Sequence, residues 1–278
     1  MLIALTIVSF GTCAPEIAIS FQSVSKGDGQ MAFANVVGGC IVNVFLILGL
    51  ACFLRPIKVK HATIKKELPI LVLVTTVFFF FFLDRLFNPF TRNSFSRADG
   101  IILILLFLVF VVYLVQMLFH KPKEEEPQVL FHPLVSLLFL AVSIVVIIFS
   151  SDLIVTSAKN IAYSLNISEK IITMFAVVIG TSLPEMVMTV SSARKGEFDI
   201  AIGNIIGTNI FNICIVLGLP TVIYGDVLLT GFGFVDILAV FLSSFLLFLF
   251  ARSERTLSKK EGIIMLLVFL AYYIYLLV

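Results

Sequence analysis

Apolar stretches of about twenty residues recur along the whole chain, each closed by a short polar break. They cover residues 2–24, 31–54, 68–87, 100–119, 133–157, 169–192, 200–224, 231–251 and 262–278. A bilayer core of ~30 Å is crossed by a helix of ~20 mostly apolar residues. The pattern therefore predicts an all-α polytopic membrane protein of about nine transmembrane helices, with no room for a soluble domain. The breaks are polar and basic, as at Arg55-Pro56 with Lys58 and Lys60, and at 120–127. The phenylalanine run 78–82 reads as lipid-facing filler, and the acidic run 124–126 as a solvated loop. Asp152 and Asp236 fall near span ends, where solvation or pairing is expected.

Composition strengthens this picture. Of the 278 residues 60% are hydrophobic and 13% charged, whereas soluble chains run at roughly half and a quarter. So much apolar surface needs lipid as its solvent. A net charge of +2 gives no basis for nucleic-acid binding. Cys13, Cys40, Cys52 and Cys214 all lie in apolar stretches without a CxxC pair, so neither a disulfide framework nor a zinc site is expected. No nucleophile–base constellation suggests an enzyme, and nothing calls for a cofactor. With nine spans the loops form two alternating sets. The loops at 55–67, 120–132, 193–199 and 252–261 hold 13 of the 19 basic residues and the others hold 6. The richer set is expected in the cytoplasm, with the N-terminus inside and the C-terminus outside.

The chain also repeats itself. Residues 11–50 align without a gap with residues 180–219, an offset of 169. The identities fall on unusual residues: Gly11/Gly180, Thr12/Thr181, Pro15/Pro184, Glu16/Glu185, Asn35/Asn204, Gly38/Gly207 and Asn43/Asn212. Three predicted spans separate the copies, so the second meets the membrane from the opposite side. Inverted repeats of this kind characterise secondary transporters, whose ion site lies between the repeats at mid-membrane. Gly and Pro in GTxxPE break the helical ladder and free backbone carbonyls, tolerable at membrane depth only inside protein or beside water. Freed carbonyls and hydroxyls are hard oxygen ligands suited to Na⁺ and Ca²⁺. Glu16 and Glu185 would supply charge; an ionised carboxylate at mid-bilayer costs ~2.5–3.5 kcal/mol even on a lenient scale, so a matched pair implies a cation. Asn43 and Asn212 would face the ion or hydrogen-bond the carboxylates.

GTSLPE followed by GNIIGTNIFN and LGLP resembles the second signature repeat of the sodium/calcium exchanger (calcium/cation antiporter) family, and GTCAPE followed by NVVGGCIVN and LGLA resembles the first. The likeness covers nearly the whole chain and is greatest to the bacterial, YrbG-like inner-membrane branch. It implies ten helices in two five-helix repeats, here 1–119 and 133–278 joined by a cytoplasmic linker at 120–132, around a central cation site. It maps the glutamates to Glu16 and Glu185, and the residues one helix later to Asn43 and Asn212. Auxiliary ligands map to Thr12, Thr181, Ser182 and Thr208. Three departures stand out. Asn212 replaces a frequent Asp, and Cys13 and Gly39 replace serines. No apolar span precedes residue 2, so the family's first helix is missing, through an upstream start (the favoured reading) or decay of the copy. The implied function is Ca²⁺/Na⁺ antiport by alternating access. The alternatives are Ca²⁺/H⁺ antiport on the same fold, since membrane-depth carboxylates can exchange protons, and a truncated relative that does not transport.

Overall fold

The computed structural model describes residues 5, 9–83, 94–119, 133–164, 169–229 and 231–277. The linker expected at 120–132, with His120, His132 and the acidic run, lies outside them, as does the side chain of Asp152. The described chain is helical almost throughout, which follows from its solvent: in hydrocarbon each backbone donor and acceptor must be satisfied within its own segment.

The first half begins with α1 (Ser9–Thr12) and α2 (Ala14–Ser25). There follow α3 (Gly29–Ile41), a π-helical segment (Val42–Leu48), α4 (Gly49–Leu54), strand β1 (Ile57–Lys58), α5 (His61–Lys65) and α6 (Glu67–Phe82). Strand β2 (Ser94–Phe95) and α7 (Arg97–Phe119) close this half. The second half opens with α8 (Pro133–Ser164), α9 (Glu169–Ile172), a second π segment (Thr173–Val177), α10 (Val178–Thr181) and α11 (Leu183–Lys195). It continues with α12 (Phe198–Phe211), a third π segment (Asn212–Leu217), α13 (Gly218–Tyr224) and β3 (Val227–Leu228), and ends with α14 (Phe234–Glu254), β4 (Thr256–Leu257) and α15 (Lys259–Leu277).

Five of the described helical runs are long and apolar enough to cross a membrane: Gly29–Leu54, Arg97–Met117, Phe198–Tyr224, Phe234–Glu254 and Lys259–Leu277. A sixth forms if the bent pair Thr173–Thr181 and Leu183–Lys195 counts as one span. Their burial sorts them. Gly29–Leu54 and Phe198–Tyr224 are 83% and 89% buried, whereas the other three lie between 22% and 44%. The two signature runs thus form the centre, and the helices around them expose apolar side chains such as Leu105, Val109 and Leu267.

The halves are tied together by matched contacts. Strand β1, after α4, pairs antiparallel with β4, before α15. Strand β3, after α13, pairs with β2, before α7. The helices that follow β2 and β4 carry the same cap: Ser96 donates from N and Oγ to Asp99 at 2.8 Å each, and Ser258 to Glu261 at 2.6 and 2.9 Å. Directly beyond, helix crosses helix at glycine. A Cβ on Gly262 would lie 2.8 Å from the Gly49 carbonyl oxygen, and one on Gly100 would lie 2.9 Å from that of Gly218. Backbones this close leave no room for a side chain.

One expectation is overturned. The run at 78–82 is not lipid filler. Phe78 is buried against Phe33 and Phe95, with ring centroids 5.7 and 6.3 Å away, and Phe79 packs on Phe234 and Phe241 at 5.7 and 5.5 Å. Phe80, 56% exposed, points outward. Helical periodicity turns a run of five around the axis, so composition alone cannot assign it to one face. Asp236 is buried at the start of α14 and pairs, accepting from Tyr272 Oη at 2.8 Å and Gly233 N at 2.8 Å. Glu67, at the start of α6, is likewise buried and accepts from Tyr113 Oη.

Candidate functional site

Each GTxxPE segment is a helix broken at the residue before the x-Pro pair completes. The first break falls at Cys13 (φ −76°, ψ 0°), between α1 and α2. The second falls at Ser182 (φ −81°, ψ 3°), between α10 and α11, where the axis bends by 53°. Pro15 and Pro184 sit in the first turn of the following half-helix, where a missing N–H costs least and the fixed φ suits the helix. They place Glu16 and Glu185 in that same turn, where the positive end of the helix dipole favours a carboxylate. Both glutamates are buried, at 1% and 0% exposure.

The two breaks meet. The carboxylates lie within electrostatic reach of each other; the Thr181 side chain faces Glu16, and Thr12 faces Glu185. Each threonine donates its hydroxyl hydrogen backwards, Thr12 to Ser9 O at 3.3 Å and Thr181 to Val178 O at 3.2 Å. Cys13 stands beside Thr208 and within reach of both glutamates.

Asn43 and Asn212 enter from the central runs, both in π segments. A π-helix shifts the i→i−4 pattern and often marks functional sites. The segments begin one residue apart in repeat register, at Val42 and Asn212, so the widened turns carry matched asparagines. Buried side-chain atoms without a hydrogen-bond partner concentrate here: Glu16 Oε2, both Glu185 oxygens, Ser182 Oγ, Thr208 Oγ1, both polar atoms of Asn212 and Asn43 Oδ1. Burying such a group unsatisfied costs ~1–3 kcal/mol. A fold that gathers many in one place reserves them for something outside the chain. Among the described residues no cluster of three or more His, Cys, Asp and Glu forms a metal site. The charge comes from two carboxylates, and the rest, the Asn212 amide nitrogen apart, are neutral oxygens, a donor set suited to hard cations.

All eight residues expected from the sequence are buried. The contacts above join Glu16, Glu185, Thr12 and Thr181, and Thr208 stands beside Cys13. Ser182 forms the second break, and the π segments of Asn212 and Asn43 pack on the half-helices of Glu16 and Glu185 respectively. Sequence reasoning missed Asn209. It accepts from Asn43 Nδ2 at 2.9 Å and donates to Cys40 O at 3.3 Å. At the repeat offset its counterpart is Cys40, so a search for residues shared by both copies passes over it. Ser9 was also missed; its hydroxyl donates to Asn204 O at 3.3 Å and holds α1 against α12. The free cysteines are buried, as small packing residues would be.

Comparison with known proteins agrees with this architecture. The sodium/calcium exchanger protein family matches residues 1–116 and 135–278. CaxA of Alkalimonas amylolytica is 35% identical, with 98% of this chain and 86% of the relative covered. The inner membrane protein YrbG of Escherichia coli (strain K12) is 34% identical, with 80% and 69% covered. Among solved structures, the sodium-calcium exchanger NCX_Mj soaked with Na⁺ and Sr²⁺ superposes with a TM-score of 0.77 at 27% identity, over 97% of this chain and 85% of that one. The chain belongs to the sodium/calcium exchanger family and is a multi-pass membrane cation antiporter, not an enzyme.

Proposed function

We propose that this protein exchanges Ca²⁺ for Na⁺ across the inner membrane by alternating access at the site built on Glu16 and Glu185. The observation that carries this reading is the pair of buried carboxylates with unpartnered oxygens, each faced by a threonine from the opposite half. Thr12, Thr181, Ser182, Thr208, Asn43 and Asn212 complete the ligand set. The name of a relative supports the ions: the sodium/calcium exchanger MaX1 of Methanosarcina acetivorans is 27% identical over 97% of this chain and 87% of its own.

Two ionised glutamates balance one Ca²⁺ or two Na⁺. Competition for one oxygen cage then couples the fluxes, because the buried charges are compensated only when one ion set or the other is bound. Asn43 and Asn212 add oxygens without charge, so a third Na⁺ has no third carboxylate. The exchange is expected to move little net charge. The reading takes residues 1–119 and 133–278 as inverted repeats with nine spans in this chain, the linker 120–132 in the cytoplasm, the N-terminus inside and the C-terminus outside.

The test is Ca²⁺ flux in vesicles carrying the full chain, with Na⁺ and pH gradients imposed separately and Glu185→Ala as control. Flux driven by Na⁺ and lost in the variant is expected. Flux driven by pH alone would replace Na⁺ with H⁺ as the coupling ion. Absence of Ca²⁺ flux under both gradients would overturn the proposal.

A further inference from the structure

Away from the centre, a cavity of about 450 Å³ opens between the α5–α6 corner and the end of α14. Lys65, Arg252, Arg255 and His61 ring it, and Ile64, Pro69 and Phe248 form its apolar floor. The four basic groups are exposed, Ile64 is buried, and Pro69 and Phe248 are half-buried. Lys65, Arg252 and Arg255 carry no ion pair among the described residues; the one salt bridge there, Lys60 to Asp199 at 2.5 Å, lies outside this cavity. No acid lines it; the exposed Glu254, between the two arginines in sequence, is absent from its wall.

Arg255 has a further peculiarity. It is the only non-glycine residue with positive φ among the described residues, at 54°. It caps α14 in the left-handed conformation, where glycine is the usual residue and any side chain is strained. Its backbone is anchored, since its carbonyl accepts from Val59 N at 2.8 Å. Lys65, Arg252 and Arg255 thus line one cavity with no acid in its wall, and an anionic partner would compensate their charge.

We propose that this cavity binds the headgroup of one anionic phospholipid. The cations converge on a phosphate, and the apolar floor beside the helix ends receives the start of the acyl chains. Its placement fits: the cavity lies where two loops of the basic-rich set begin and end their helices, and basic pockets between transmembrane helices on that side suit anionic headgroups. The proposal does not depend on which ions are exchanged.

The full chain in detergent is titrated with short-chain phosphatidylglycerol, short-chain phosphatidylcholine and inorganic phosphate. Native mass spectrometry counts bound lipid and thermal unfolding reads stabilisation. Phosphatidylglycerol is expected to bind one to one and raise the unfolding temperature, while the other two do neither. Combined Lys65→Gln, Arg252→Gln and Arg255→Gln is expected to weaken binding about a hundredfold. Combined Lys58→Gln, Lys259→Gln and Lys260→Gln removes equal charge from the same face outside the cavity and is expected to weaken it far less. Equal losses in the two triple variants would mean diffuse surface attraction and overturn the proposal. Equal stabilisation by phosphatidylcholine would remove the role of charge, and tight binding of inorganic phosphate would remove the lipid. Arg255→Gly relieves the backbone and guards against misfolding; it should fold at least as well as the parent yet bind about fivefold more weakly, and unchanged affinity would overturn the role of Arg255.

Discussion

In the second signature segment Asn204 Nδ2 donates to Thr189 Oγ1 at 3.2 Å. At the matching place in the first, Ser20 Oγ and both polar atoms of Asn35 are buried without a hydrogen-bond partner. Towards the site centre the contrast reverses. Asn43 gives its amide to Asn209 at 2.9 Å, whereas both polar atoms of Asn212 and both oxygens of Glu185 have no partner. The repeats share their buried glutamates but distribute their hydrogen bonds unequally. One residue accounts for the inner difference: Asn209 stands where the first copy has Cys40, and its amide bridges the Cys40 carbonyl to Asn43. A sequence repeat thus supplies two similar halves of the candidate site, and a single departure from it decides which asparagine keeps an unpartnered amide nitrogen.

The strongest test of this comparison removes what the halves share. Glu16→Ala and Glu185→Ala should each reduce Ca²⁺ flux at least about a hundredfold, since even outer-shell changes at metal sites cost 10–100-fold. Survival of flux in either variant would show that the halves do not form one site. Next comes Asn212→Asp, which adds a carboxylate at an unpartnered position. It should make exchange measurably dependent on membrane voltage, read as ion flux at imposed potentials. Asn43→Asp should do so less, because its carboxylate would face the Asn209 Oδ1 acceptor with no hydrogen between them, which disfavours the ionised form. Asn209→Ala should lower stability by about 2 kcal/mol by orphaning both of its partners, seen in thermal unfolding, whereas Cys40→Ala leaves the backbone carbonyl in place and should cost less. The smallest effect separates the outer pairs: Thr189→Ala should cost about 1 kcal/mol for its hydrogen bond to Asn204, and Ser20→Ala close to nothing, since its hydroxyl has no partner to lose. Equal costs would erase the asymmetry between the repeats.

Much of the candidate site was legible. Glu16, Glu185, Asn43, Asn212, Thr12 and Thr181 announce themselves by recurring at one offset, and Gly and Pro beside them locate the breaks because those residues alone act directly on the backbone ladder. Ser182 and Thr208 came through family resemblance. The unrepeated Asn209 and Ser9 were not legible, because their partners are 166 and 195 residues away and no local pattern records such a distance. The phenylalanine run misled for a related reason: its hydrophobicity satisfies lipid and core equally, and neighbours from α3 and α14 chose the core for Phe78 and Phe79.

The sequence by itself determined the solvent, the helical class, the internal repeat and the matched acids, because each follows from composition or spacing along one chain. Only the tertiary structure decided which apolar helices lie inside, which buried oxygens are left unpartnered, and where Lys65, Arg252 and Arg255 converge. Those outcomes depend on contacts between segments far apart in sequence, where packing and hydrogen-bond geometry select among arrangements that local preferences leave equally favourable.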